Sequence, residues 1–477
     1  MATTTAGLRN LFAFLVFAIV ASITLWHHEL WRDELQAFGI ARNSQSLAQL
    51  MANKVYEGHP LLWYLMLYAI TRFTQSIFAM QIVNLMLALG GIWLLVHYFP
   101  SKSWIKYLLM FGYFFLYEYT ILSRNYAIEY ALTFALLASL PHKRWGLSTL
   151  LLCLLMQTNA FGFLIAAALL PIIMSLQWPD QKKAAGITLL FFVVSALFFF
   201  ITVQPPSDSG FAPGWSFHLT DMQKAVNKFW DVFLPIPSCT IHSWNSNFLN
   251  TAPPWIKTIL SISLFAVACF TLRKSKSALA FFITACVLIW LFLSSKYLGF
   301  LRHQGHYFIA FVSALWLAGQ KEDKSSPSQF NFSNLFIGSI LSVQVAAGII
   351  ACYMDWKYPF SNAQKVAAYI NKNYPDTRLA ATPDYIGASI GILLNKEVYY
   401  PCSNRVGQFI IWDNKRLDLE EGMEISLAGR QKKLGQDILL LSGAILQQTD
   451  SLNACGFQLI DSFPPAIVKN EQYFLYK

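Results

Sequence analysis

The chain has 477 residues, 56% of them hydrophobic and only 13% charged, with a formal net charge of +10 and a mean hydropathy of +0.44. An ordinary soluble domain carries roughly 25% charged residues, so this composition excludes one and indicates an integral membrane protein. The positive balance does not point to nucleic acid either, because no dense Lys/Arg run is interleaved with aromatic residues as a nucleic-acid footprint requires.

Apolar runs near the roughly 20 residues that cross a bilayer recur along most of the chain, predicting a polytopic α-helical membrane protein with about 11 transmembrane helices. The first run, 11–26, follows Arg9 but lacks a small-residue cleavage site and leads straight into charged residues. It therefore reads as a retained span and not as a secretion signal. Further spans are expected at 77–98, 104–122, 125–141, 146–158, 160–177, 184–203, 256–272, 278–295, 304–319 and 333–354. The run 61–73 is apolar but short, and reads as a re-entrant or interfacial helix. An alternative scheme makes 61–73 a span and fuses 146–177 into one.

Loop charge separates the schemes. The first places Lys102 and Lys106, His142 to Arg144, Lys182 and Lys183, Arg273 to Lys276 and Lys321 to Lys324 on the cytoplasmic side, where Lys and Arg accumulate. Under both schemes residues 27–60, 204–255, 296–303 and the C-terminus face outside. A polar cytoplasmic linker is expected at 320–329. From Asp355 onward short apolar strands (378–384, 408–412, 437–443, 457–463 and 472–477) alternate with helical stretches (361–373, 384–394 and 419–432). The chain thus divides into a transmembrane domain, 1–354, and a C-terminal α/β domain, 355–477.

Seven cysteines without a CxxC pair exclude a dense disulfide framework and an obvious zinc site. Cys153, Cys269, Cys286 and Cys352 lie in apolar runs as small core residues. Cys402 and Cys455 are the pair that an oxidising compartment would bridge.

The outer segment 27–60 carries the chemistry. "LWRDELQAFGIA" places Arg32, Asp33 and Glu34 side by side just past the first span, and "YEGHPLLWYLML" adds Glu57 and His59. Neighbouring residues on a helix diverge by about 100°, so one acid of the pair faces a site while the other braces it. Glu118 and Glu129 lie within apolar spans, where an unpaired charge is expensive and marks a cavity or an ion pair. Trp26, Trp31 and Trp63 fit an aromatic belt.

The acidic pair after the first span ("RDE"), followed about 25 residues later by an acid and His-Pro opening the next apolar segment ("EGHPLLWY"), resembles the GT-C superfamily. These are polytopic glycosyltransferases that use lipid-linked sugars, and the likeness is greatest to protein O-mannosyltransferases and bacterial lipid A aminoarabinose transferases. The motif match covers about 26–130, and the rest agrees in layout; where the family often reads His-Pro-Pro, this chain has Pro60-Leu61. The resemblance implies a polyprenyl-phosphate sugar donor and a lipid, glycan or protein acceptor. It also implies a bacterial inner (plasma) membrane location, with the active site and C-terminal domain facing the periplasm or exterior.

In that reading Asp33 is the general base on the acceptor, with Glu34 as the second catalytic candidate. The leaving phosphate needs cations more than it needs a general acid. "SRNYAIEY" offers Arg124, and "SSKYLGFLRHQGHYF" offers Lys296, Arg302, His303 and His306, Arg bringing a bidentate fork. Arg32, Glu57, His59 and Asn159 of "QTNAFG" complete the expected substrate-binding set. Headgroup anchoring is the plainer reading of Arg124 and Arg302. No cofactor is expected. Asp33, Glu34, Glu57 and His59 are the side chains a divalent cation would use, but no HxxxH or DxD spacing supports a metal. The alternative function is a transporter or flippase of polyprenyl-linked glycans, which the intramembrane acids favour and the lack of paired, Gly/Pro-broken repeats disfavours. A sensor whose C-terminal domain binds a ligand would leave the first outer loop unexplained.

Overall fold

The computed structural model describes residues 2–210, 214–320, 332–433, 435 and 437–477. The expected linker lies outside the described residues beyond Gln320, as do Lys321 to Lys324. The chain opens with α1 (Ala2–His27), α2 (Arg32–Asn43), α3 (Leu47–Lys54), α4 (Leu62–Phe73), α5 (Phe78–Tyr98), α6 (Ser103–Met110), α7 (Tyr126–Ser139), α8 (Trp145–Met156), α9 (Ala160–Gln177) and α10 (Lys182–Val203). It continues with α11 (Leu219–Val226), α12 (Phe229–Phe233), α13 (Pro254–Leu272), α14 (Lys276–Ser295), α15 (Leu301–Gln304), α16 (His306–Gly319) and α17 (Phe332–Lys357).

Among the described residues, seven helices are long and apolar enough to cross a membrane: α1, α5, α9, α10, α13, α14 and α17. Three of the other four expected spans are shorter helices. Residues 125–141, 146–158 and 304–319 form α7, α8 and α16, with 14, 12 and 14 residues. The span expected at 104–122 is not one helix. α6 stops at Met110, and a wide π turn covers Phe114–Glu118. The break has a packing cause: a Cβ on Gly112 would lie 3.2 Å from Gln344 Cβ, and one on Gly348 would lie 2.9 Å from Phe111 O. The backbone at 111–112 therefore sits directly on α17, an approach that only small residues allow. Irregular backbone at this depth is tolerated because protein covers it.

Residues 146–177 are not fused. α8 and α9 are joined by a tight turn in which Asn159 caps α9, its Oδ1 accepting from Phe161 N (2.8 Å) and Gly162 N (2.9 Å). This is the satisfaction that orphan amides at a helix start require. In the bundle core Tyr130 of α7 fills the notch left by Gly91 on α5, where a Cβ would lie 2.3 Å from the ring, and its hydroxyl donates to Ala88 O (3.0 Å).

The C-terminal domain comprises α18 (Ala363–Asn373), β1 (Arg378–Thr382), α19 (Asp384–Leu394), β2 (Val398–Tyr400), β3 (Arg405–Gly407), α20 (Glu421–Lys433), β4 (Ile438–Ser442), α21 (Thr449–Cys455), β5 (Leu459–Ser462) and β6 (Phe474–Tyr476). Its sheet has the order β3-β2-β1-β4-β6-β5. β2, β1 and β4 are parallel, with Leu379 opposite Leu439 and Ala381 opposite Leu441, while β3, β5 and β6 pair antiparallel. Alternation builds two cores: Leu379, Ala381, Leu439 and Leu441 face α18 and α19, and Ala380, Ile438 and Leu440 face α20 and α21.

Residues 408–412, expected as a strand, are irregular. Their backbone pairs instead with a side chain of α2: Gln36 Nε2 donates to Ile410 O (2.8 Å), and Ile410 N donates to Gln36 Oε1 (3.0 Å). Ile392 of α19 packs into the same α2 core as Leu35 and Phe38, where a Cβ on Gly39 would lie 2.6 Å from Ile392 Cδ1. The C-terminal domain is thus seated on the first outer loop. Cys402 and Cys455 are free thiols, as are the other five cysteines.

Candidate active site

The site is organised by the first turn of α2. Glu34, at the third helical position, reaches back to accept from Trp31 N (3.2 Å), the acidic half of a capping box. The helix start fixes which way each acid points. Glu34 is buried, while the Asp33 side chain keeps 33% of its exposure; the pair divides as the 100° helical step demands.

Four segments distant in sequence meet around Asp33. Arg302 of α15 donates from Nη2 to Asp33 Oδ2 (3.2 Å) with its side chain only 6% exposed. Arg124, just before α7, donates to the Asp33 carbonyl and to Nε2 of His59 (3.3 Å). Arg32 Nε lies 3.9 Å from Asp33 Oδ1 and 4.0 Å from Glu471 Oε1 of the C-terminal domain. The Arg302 guanidinium sits in an aromatic enclosure, 5.2 Å from Trp31, 5.3 Å from Trp244 and 4.9 Å from Phe300, distances at which ring faces attract a cation. Its presentation depends on the bend at Gly305, where a Cβ would lie 2.3 Å from Phe114 and Tyr119; the Tyr119 hydroxyl donates to Arg302 O (2.7 Å).

Electrostatics follow from burial. Desolvation, reinforced by Arg124, Lys54 and Arg302, pushes His59 down to about 3, so its imidazole is neutral and accepts from Arg124. Lys54 Nζ donates to His59 O (2.7 Å), and burial lowers this lysine to about 8 against the pull of Glu57. Burial raises Glu57 above the usual carboxylate range, opposed by Gln36 and Arg124; it accepts from Gln36 Nε2 (2.9 Å) and Tyr64 (3.3 Å). Arg302 Nε, Arg32 Nη1 and Trp31 Nε1 are buried donors without an acceptor. Around Asp33 three buried donors thus lack acceptors against one unpaired acceptor, Glu471 Oε2, and a surplus of donors suits an oxyanion.

Behind Asp33 lies a fully buried relay. His28 bridges Glu34 (Nε2 to Oε2, 3.2 Å) and Asp355 of α17 (Nδ1 to Oδ2, 2.8 Å), and Glu34 Oε1 accepts from Ser123 N (2.5 Å). Burial alone would lower His28, but the two carboxylates raise it to about 10. Glu34 is thus fully buried and tied to His28, Trp31 N and Ser123 N, so of the two acids only Asp33 reaches solvent.

Four other expected binding residues have their contacts elsewhere. Asn159 caps α9 and donates to Glu129 Oε2 (2.7 Å), which also receives His306 Nε2 (2.6 Å); this closed cluster is buried in the bundle instead of lining the outer pocket. His303 folds back on its own loop, Nδ1 accepting from Phe300 N (3.0 Å). Lys296 lies 5.4 Å from the ring of Trp215 in the long outer loop. Glu57 and His59 flank the pocket but do not converge with Asp33 and Glu34 on one point. Among the described residues no group of three or more His, Cys, Asp or Glu is placed to hold a metal ion.

Sequence reasoning missed Trp244, His28 and Glu471. Trp244 links the Arg302 enclosure to Glu118, donating from Nε1 at 3.1 Å, while Tyr113 donates to the same carboxylate at 2.6 Å. Its signal is a lone Trp within the polar stretch "HSWNSN". Glu471 accepts from Arg32 N (3.1 Å) and is raised by burial to about 7, with Arg32 opposing; it is the acid of "NEQYFLYK", directly before an apolar strand. The arrangement provides one accessible carboxylate among three guanidinium groups, open to solvent on one side and braced on the other. No family model matches the chain, and a search of curated proteins finds no match.

Proposed function

We propose that this chain is a membrane glycosyltransferase of the GT-C type, moving a sugar from a polyprenyl-phosphate donor to a hydroxyl of a lipid, glycan or protein acceptor. The observation that carries this reading is the accessible Asp33 carboxylate beside Arg302, Arg32 and Arg124, with buried guanidinium and indole donors of Arg302, Arg32 and Trp31 left unsatisfied around it.

In the proposed step Asp33 takes the proton of the acceptor hydroxyl as its oxygen bonds to C1 of the sugar. The bond from C1 to the phosphate oxygen breaks, and its electron pair leaves with the polyprenyl phosphate. Arg302 and Arg124 balance that developing charge, and Arg302 exchanges its contact with Asp33 for the phosphate as the donor enters. Inversion at C1 follows from direct displacement. The proposal includes eleven passes, with α6, α7, α8 and α16 as short ones, and an outward site in a bacterial inner membrane. That orientation is supported by Lys102, Lys106, Lys182, Lys183, Arg273 and Lys274 at the opposite helix ends. The transport alternative rests on Glu118 and Glu129, and both are occupied by internal partners.

The test is donor binding and transfer by purified protein with a panel of polyprenyl-phosphate sugars. Asp33→Asn is expected to retain donor binding and to lose about 10²- to 10⁴-fold in transfer, the usual worth of a general base. Arg302→Ala is expected to lose donor binding. Full transfer activity in a folded Asp33→Asn protein would refute the base assignment. Indifference to every donor would refute the reading as a whole.

A further inference from the structure

We propose that the groove where the C-terminal domain meets the long loop 204–255 binds a neutral saccharide, at a place separate from Asp33. A cavity of about 450 Å³ opens at this junction, within the size range of small-ligand pockets. Its walls are the turn after β4, the segment leading into β6, and His242 of the long loop, whose Nδ1 lies 3.3 Å from Ile467 O. The cavity abuts the carboxyl end of β4, on the side of the sheet where β4 meets the antiparallel β6.

The lining selects the class of occupant. Gln447, Asn470 and Gln472 supply amide donors and acceptors together. Among the described lining residues there is no Asp or Glu, and Lys469 is the one Lys or Arg. An ammonium ligand finds no counter-charge, and a phosphate finds one flexible cation where a built site has several. Ile445, Val468 and Phe474 place apolar surface beside the amides. Hydroxyls on a ring with C–H faces match that mixture. An extended peptide has no edge to add to, because β6 is paired on both sides.

The groove also touches the Asp33 pocket through one stretch of chain. In the irregular segment before β6, Glu471 turns toward Arg32 N, while its neighbours Asn470 and Gln472 line the cavity. Asn470 and Tyr473 hold φ of 67° and 71°, a conformation that side-chain-bearing residues rarely adopt and that recurs at ligand clamps. A saccharide in the groove would stiffen the segment that holds Arg32.

Saturation-transfer NMR tests this on the full chain, in a detergent without a sugar headgroup, with maltose, cellobiose and chitobiose each at about 10 mM, the weak end of specific recognition. At least one disaccharide is expected to bind. Gln447→Ala combined with Gln472→Ala is expected to weaken binding about tenfold or more, with the melting temperature unchanged, and Asn470→Gly, which keeps the left-handed backbone and removes the amide, to do the same. Asp33→Asn is expected to bind as the parent does. Absence of binding by all three sugars, undiminished binding in both amide variants, loss in Asp33→Asn, or displacement by inorganic phosphate or by a neutral tripeptide at equal concentration would each overturn the proposal.

Discussion

His28 shows how a single buried side chain decides the geometry of an exposed one. It sits between Glu34 and Asp355 with no solvent access, and Glu34 in turn ties Trp31 N and Ser123 N. Removing the imidazole leaves two carboxylates buried without their shared partner. Breaking a buried pair in this way costs about 3–5 kcal/mol, so His28→Gln should lower the melting temperature of the detergent-solubilised protein by several degrees. The pH dependence has a definite sign. The His28 pKa in the fold, about 10, lies above its ordinary value of about 6.5. Its stabilisation is therefore complete below pH 6.5, fades as pH rises, and is gone above 10. Melting temperatures measured across this window should fall for the parent and stay flatter for His28→Gln; parallel slopes would contradict the relay. The motif "HHEL" carries this residue in plain view, but only the fold shows that its partner is 327 positions away.

At the scale of elements, helix ends and breaks position the chemistry. α2 begins where Glu34 caps it, and α15 meets α16 where Gly305 allows the bend that presents Arg302. The hairpin of α8 and α9 depends on Asn159, whose side chain satisfies two amides and donates to Glu129. Asn159→Ala should cost about 0.5–2 kcal/mol for the lost cap, read as a lower melting temperature with donor binding retained. Loss of donor binding at unchanged stability would return Asn159 to the pocket. Long apolar runs made α1, α5, α9, α10, α13, α14 and α17 legible, because twenty apolar residues in series have few alternatives to a helix in a membrane. The break after α6 was not legible. It depends on how closely Gly112 and Gly348 bring two distant segments together, and hydropathy carries no record of that. Residues 408–412 misled for a related reason: an apolar run marks burial, and here what buries it is α2 and not a neighbouring strand.

For the whole molecule, the governing feature is that the C-terminal domain roofs the first outer loop. Of the expected site residues, Asp33, Arg32, Arg124, His59 and Arg302 do come together, since charge in the outer loops of a membrane protein is costly to leave unsatisfied near the bundle and finds partners there. Trp244 and Glu471 were beyond reach because their roles arise from contacts between segments that no local pattern connects. Glu471 makes the roof sensitive to pH. Burial raises it to about 7 from an ordinary carboxylate value, so its contribution to docking is complete below about 4.5 and is lost as pH rises through 7. Hydrogen-exchange protection at residues 470–473, taken relative to the base-catalysed intrinsic rate, should fall between pH 6 and 8, and Glu471→Gln, which mimics the protonated acid, should remove that fall. Protection that is equally constant in both proteins would contradict it.

Arg32 and Glu471 are separated by 439 positions, and this distance acquires a meaning in time. At about 5–20 residues per second of synthesis, roughly 20 to 90 seconds pass between the emergence of the acidic pair and the arrival of the strand that covers it. During that interval Asp33 waits first for Arg124 and then for Arg302, and Arg32 waits longest. A ribosome that stalls before Glu471 leaves Arg32 without its partner in the C-terminal domain. Arrival of the segment around Glu471 is thus the event that closes over Arg32.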